Sequence, residues 1–123
     1  MTPDGFAFSN PGTTTVQPTA MERVVAPGIS SEIAAAMRLA VNGDLGRVFT
    51  AGAAVRGLVV AGKSGTAELE SGTKPHSWFI GFAPYDDPQV AIAVLVENSG
   101  GGSVKASPIA GELLRAWRDW ANG

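Results

Sequence analysis

The stretch Gly62-Lys63-Ser64-Gly65-Thr66-Ala67-Glu68 lies between two apolar runs, Leu58-Val59-Val60-Ala61 before it and Ser77-Trp78-Phe79-Ile80-Gly81-Phe82-Ala83 after it. In seven residues it gathers one ammonium, two hydroxyls and two glycines. A hydrated surface loop seldom separates runs of that kind, so the stretch reads as the start of a strand. Its chemistry suits an anion: a positive charge, hydroxyl donors, and backbone left bare at the glycines. On its own a Lys-Ser-Gly-Thr string is most often an ordinary turn. The apolar runs on either side give it weight as one wall of an anion-binding cleft.

Downstream, the pattern predicts three strands and a helix. The first strand covers about residues 60–69, and Glu70-Ser71-Gly72-Thr73-Lys74-Pro75 is loop by composition. The second, His76 to Ala83, alternates Trp78, Ile80 and Phe82 on one face with Ser77, Phe79 and Gly81 on the other. The third, Val90 to Val96, is apolar throughout, which predicts a central strand buried on both faces. The short links predict an antiparallel meander. Gly100-Gly101-Gly102 ends the sheet, and a last helix runs from Ser103 or Ser107 to Trp120 with Pro108 in its first turn. Ile109, Leu113, Trp117 and Trp120 form a helical stripe expected to lie across the sheet.

Upstream, Ser30 or Ser31 is a candidate cap for a helix whose apolar face is Ile33, Met37, Ala40 and Val41 and whose stop is Gly43 in a left-handed conformation. A short second helix is expected within Leu45 to Ala51, then a turn over Gly52 to Gly57. Residues 1–20 read as loop-rich, with short strands at Phe6 to Phe8 and at Arg23 to Val25, the latter closed by Pro27-Gly28. The fold class is α+β: an antiparallel sheet packed against a C-terminal helix.

The bulk properties narrow the functions open to such a chain. At 123 residues it has the length of one domain, not two. A net charge of −2 with no cluster of Lys and Arg argues against nucleic acid as a partner. Without cysteine, and with His76 as the single histidine, no metal-ligand spacing emerges, so neither metal nor cofactor is expected. The longest apolar run, Val90 to Val96, is far short of the ~20 residues of a membrane helix. Met1-Thr2-Pro3-Asp4-Gly5 has neither a basic start nor an apolar core, so any export signal is expected on sequence further upstream.

Taken together, the motifs resemble a known family. Lys63-Ser64-Gly65, extended by Thr66-Ala67-Glu68, is similar to the Lys-Thr/Ser-Gly motif of penicillin-binding proteins and serine β-lactamases. The run His76-Ser77-Trp78-Phe79-Ile80-Gly81-Phe82-Ala83-Pro84 resembles the next strand of class B penicillin-binding proteins, often Trp-Phe-x-Gly-Phe-Ala-Pro. Val90 to Asn98, the final helix, and the stretch from Arg23 through the first helix also match, so the likeness spans about residues 22–120. It implies the C-terminal part of a peptidoglycan D,D-transpeptidase, acting on stem peptides ending in D-Ala-D-Ala and acylated by β-lactams at the extracytoplasmic face of the bacterial membrane. Lys63 would then supply positive potential and help shuttle a proton. Ser64 and Thr66 would donate hydrogen bonds to the substrate carboxylate, and the Thr66 backbone N–H would serve the oxyanion hole. Gly65 would let a neighbouring helix approach. Strict alternation puts Lys63 on one face and Ser64 and Thr66 on the other. All three serve one cleft only if their strand lies at a twisted sheet edge.

The chain departs from the family in one respect that governs its chemistry. The family's Ser-x-Asn motif is absent, and Ser-x-x-Lys occurs only as Ser71-Gly72-Thr73-Lys74. That match is rejected: the nucleophile should open a helix ahead of the Lys-Ser-Gly strand, whereas Gly72 and Pro75 make this a loop behind it. The chain is therefore expected to be a piece of a longer protein, lacking the N-terminal part of its own domain and inactive alone. A non-catalytic module that keeps the fold without the chemistry is the alternative, and a serine β-lactamase fragment a weaker one. His76 reads as a surface residue, Asp86-Asp87 as a solvated turn, and Glu68 equally as cleft rim or strand surface.

Overall fold

In the computed structural model, which describes residues 16–123, three strands and three helices follow one another along the chain. They are α1 (Pro27–Asn42), α2 (Gly46–Phe49), β1 (Ala61–Ala67), β2 (His76–Ala83), β3 (Val90–Val96) and α3 (Ala106–Asn122). The sheet is an antiparallel meander in the order β1-β2-β3. The strands Phe6–Phe8 and the loop at Pro11 lie outside the described residues. Arg23 to Val25 is exposed and forms no strand. Pro27 does not close a strand there; it starts α1, where a proline's missing N–H costs nothing.

α1 begins earlier than its serines suggest. Ala26 occupies the cap position, and the hydroxyls of Ser30 and Ser31 instead donate back to the Pro27 carbonyl, both at 2.9 Å. Gly43 does end the helix, but in extended conformation (φ −77°), with its N–H on the Leu39 carbonyl. Val41 is buried, whereas Ile33 stays half-exposed. Asn42 ties the end of α1 to the sheet: its amide donates to the Val60 carbonyl at 2.7 Å.

The alternation of β2 decides where the core sits. Ser77, Phe79, Gly81 and Ala83 are buried; Trp78 and Ile80 are exposed. Register places Phe79 opposite Ser64 on β1 and Val94 on β3, so one face of the sheet is the core face. The Phe79 ring lies against the Gly62–Gly81 pair, where a β-carbon on either glycine would strike it. Phe79, Val94, Val60, Val55, Ala53, Ala106, Ala110 and Leu114 form the continuous core.

Two expectations are corrected. Among the described residues β3 is an edge strand, not the central one, because the middle strand of a three-strand meander is the second. Its apolar run alternates in burial: Val94 is buried, while Ala91, Ala93 and Leu95 are exposed on the open face. The second correction concerns α3. It packs through Ala106, Ser107, Ala110, Gly111 and Leu114, with Trp117 half-buried beside them. Ile109, Leu113 and Trp120 point away from the core. Small residues win the interface because they let the helix axis come close. Gly111 sits so near Gly52 that a β-carbon there would collide with the Gly52 carbonyl.

Candidate functional site on the edge of the sheet

β1 carries the motif, and β1 is the other edge strand. Among the described residues only β2 pairs with it, so one long side of the Lys63–Thr66 segment bears no described strand partner. The edge position is the first half of the condition for opposite-facing side chains to serve one cleft. Lys63 pairs with Ile80 and Gly65 with Trp78, on the open face; Ser64 pairs with Phe79 and Thr66 with Ser77, on the core face.

The polar groups differ in how they are engaged. Lys63 is exposed, and its Nζ donates to the Ser64 carbonyl at 2.7 Å. No acidic side chain pairs with it among the described residues. The Ser64 hydroxyl donates to the Phe49 carbonyl at the end of α2, so its proton is already spent within the chain. Thr66 is different. Its Oγ1 accepts the N–H of Gly102 at 3.2 Å, which leaves its own proton free to donate outward from an exposed position. Gly65 presents a bare face: an added β-carbon would meet only the Trp78 β-carbon, at 3.3 Å. No described helix approaches there.

Behind Thr66 lies a polar network that the sequence reading missed. Ser77, fully buried, donates from Oγ to the Gly101 carbonyl at 3.0 Å and accepts the Ala106 N–H at 2.9 Å. The buried Ser107 hydroxyl donates to the Gly102 carbonyl at 3.1 Å, and its N–H reaches the same oxygen at 3.0 Å. Ser77 and Gly102 thus take up the orphan N–H groups that open α3. A serine on the inward face of an otherwise apolar strand, ahead of a glycine triplet, was the available signal.

The remaining candidates have ordinary structural roles. His76 Nδ1 accepts the Asn98 N–H at 3.0 Å, pinning the loop after β3 to the start of β2. Asp86 is exposed and borders a shallow groove lined by Ser30, Ser31, Ala34, Phe82, Tyr85 and Pro88. Lys63, Ser64 and Thr66 do not line that groove; they line an open edge. Ser71 to Thr73 is turn and bend, not helix, consistent with rejecting it as the nucleophile.

A meander with a Lys-Ser-Gly-Thr edge strand and a C-terminal helix across its core face defines a partial transpeptidase-type fold. The family model for the penicillin-binding protein transpeptidase domain matches residues 6–115, and the chain belongs to that family. It is 42% identical over 69 residues to the peptidoglycan D,D-transpeptidase MrdA of Haemophilus influenzae, covering 45% of this chain and 11% of that protein. It is 44% identical over 71 residues to the peptidoglycan D,D-transpeptidase PbpA of Mycolicibacterium smegmatis, covering 51% of this chain and 14% of that protein. Among solved structures it resembles the ceftriaxone acyl-enzyme complex of penicillin-binding protein A from Mycobacterium tuberculosis, with a TM-score of 0.69 and 34% identity over 84% of this chain and 24% of that one. The chain thus spans a quarter or less of each of these relatives.

Proposed function

We propose that this chain supplies the Lys-Ser-Gly wall of the active-site cleft in a peptidoglycan D,D-transpeptidase, a serine acyltransferase that β-lactams acylate. The carrying observation is the edge of β1, unpaired among the described residues, which holds an exposed lysine and the free proton of Thr66 within four residues. A stem peptide ending in D-Ala-D-Ala, or a β-lactam, brings a carboxylate to that edge. The Thr66 hydroxyl donates to it and Lys63 supplies the positive potential. Gly65 leaves room for the helix that carries the nucleophile, and the Thr66 N–H contributes to the oxyanion hole; such a donor is worth roughly 3 kcal/mol of barrier. Ser64 joins in carboxylate binding once its proton leaves the Phe49 carbonyl.

The attacking serine comes from sequence beyond this chain: no described hydroxyl has a general base directed at it, and the one Ser-x-x-Lys match, Ser71 to Lys74, is not helical. Attack on the D-Ala-D-Ala carbonyl forms the acyl-enzyme ester and expels D-alanine. An acceptor amine then releases the cross-linked product. Such an enzyme works where peptidoglycan is assembled, at the extracytoplasmic face of the membrane.

Mass spectrometry after incubation with benzylpenicillin tests this. The 123-residue chain alone should carry no penicilloyl adduct, and the full-length gene product should carry one. An adduct on the chain alone would place the nucleophile within it. Absence of an adduct on the full-length protein would favour a non-catalytic module.

A further inference from the structure

We propose that Ser77 is a positioning residue for the Thr66 hydroxyl, acting through the Gly101–Gly102 peptide; this rests on the carboxylate-binding role given to Thr66 above. Thr66 and Ser77 are cross-strand partners on the core face of the sheet. They do not bond each other. Both reach the glycine loop that crosses above them: Ser77 Oγ donates to the Gly101 carbonyl, and the Gly102 N–H donates to Thr66 Oγ1.

That N–H is held from several sides. The Gly101 carbonyl is fixed by Ser77, and the Gly102 carbonyl by the N–H and hydroxyl of Ser107. Gly102 also lies directly on the sheet backbone. A β-carbon there would come within 2.6 Å of the Trp78 carbonyl and 2.7 Å of the Gly65 nitrogen. Ser77 in turn accepts the Ala106 N–H, which couples the loop to the start of α3. A hydroxyl whose oxygen is committed to a fixed N–H has its own proton directed elsewhere. Here the remaining direction is the exposed edge, where an incoming carboxylate would lie. Ser77, with no exposure to solvent, touches no substrate. Its effect is to orient Thr66 as a donor.

A role of this kind is distinguishable from simple support of the fold. Positioning acts on recognition of the carboxylate and on nothing else in the ligand. The experiment compares acylation of the full-length protein by benzylpenicillin and by its methyl ester, in the unmodified form and in the variants Ser77→Ala and Thr66→Val. Loss of a well-directed hydrogen bond to a charged group lowers a rate by about tenfold or more. Ser77→Ala should therefore slow the acid about tenfold and the ester less than twofold. Adding it to Thr66→Val should produce no further loss for the acid. If Ser77→Ala fails to fold, Ser77→Cys, close in shape but weak as donor and acceptor, carries the same test. Equal slowing of acid and ester, or no slowing of either, overturns the positioning role while leaving the functional reading intact. A Thr66→Val variant that discriminates acid from ester as well as the unmodified protein does, or a full-length protein that is not acylated at all, overturns the functional reading and this inference with it.

Discussion

At the scale of single residues, Lys63 and Thr66 differ from their neighbours in being polar, exposed and free to act on something outside the chain. Lys63 makes its one described hydrogen bond to the backbone of its own strand and fills no part of the core, so removing it should not disturb the fold. In the full-length protein, Lys63→Ala should slow penicillin acylation by about a hundredfold or more, the range general acid–base catalysis supplies. Its unfolding midpoint should move little. Equal acylation rates with and without the lysine would remove it from the mechanism. The hydrophobic residues of α3 make a contrasting pair. Leu114 is almost fully buried, and Leu114→Ala should cost about 2–5 kcal/mol in chemical denaturation. Trp120 is 60% exposed, and Trp120→Ala should cost about 0.5 kcal/mol or less in the isolated chain, despite being the larger truncation. The reverse order would place α3 the other way round on the sheet.

At the scale of elements, what the sequence revealed depended on which force fixed each feature. The bounds of β2 and β3 were legible because alternation in β2 and the turns bounding both strands are local signals, whereas the all-apolar run of β3 hid its edge position. The Lys-Ser-Gly stretch was legible as a strand, and its position at the edge follows from the β1-β2-β3 order. The burial of α3 was not legible. Choosing the bulkiest stripe, Ile109 to Trp120, ignored that a helix is drawn closest where its residues are smallest. Nor did the serines of α1 reveal that the helix begins at Pro27, since proline at a helix start and proline after a strand look alike in sequence. The network around Ser77 was hidden because it joins residues 66, 77, 101 and 106, far apart in the chain. The small-residue interface gives its own prediction. Gly111→Ala, a mild change in most helices and favourable by propensity, should here destabilise by about 1–3 kcal/mol, because the methyl group meets the Gly52 carbonyl. Thermal melting of the variant decides it. An unchanged or raised midpoint would mean that α3 stands further from residues 52–53 than the structure has it.

At the scale of the whole molecule, the chain has apolar surface left over on two sides. Across the open face of the sheet run Trp78, Ile80 and Leu95, exposed by 37%, 50% and 43%, with Ala91 and Ala93 between them. On the far side of α3 lie Ile109, Leu113 and Trp120. β3 adds an edge of seven apolar residues, unpaired among the described residues, with neither charge nor proline to discourage pairing. A self-sufficient domain seldom leaves so many large apolar side chains grouped together. The same residues are unremarkable if more of a transpeptidase domain covers them, and this chain spans only 24% of the resembling structure of penicillin-binding protein A. The isolated chain should therefore associate as its concentration rises, through the open sheet face and the β3 edge. Sedimentation over a range of concentrations would show it. Ile80→Lys with Leu95→Lys should shift the distribution towards monomer, since both side chains project from the uncovered face and neither lies in the core. Monomer at every concentration, with a single cooperative melting transition, would instead mean that the three strands and α3 suffice as an autonomous module, and would weaken the case for a missing part of the domain.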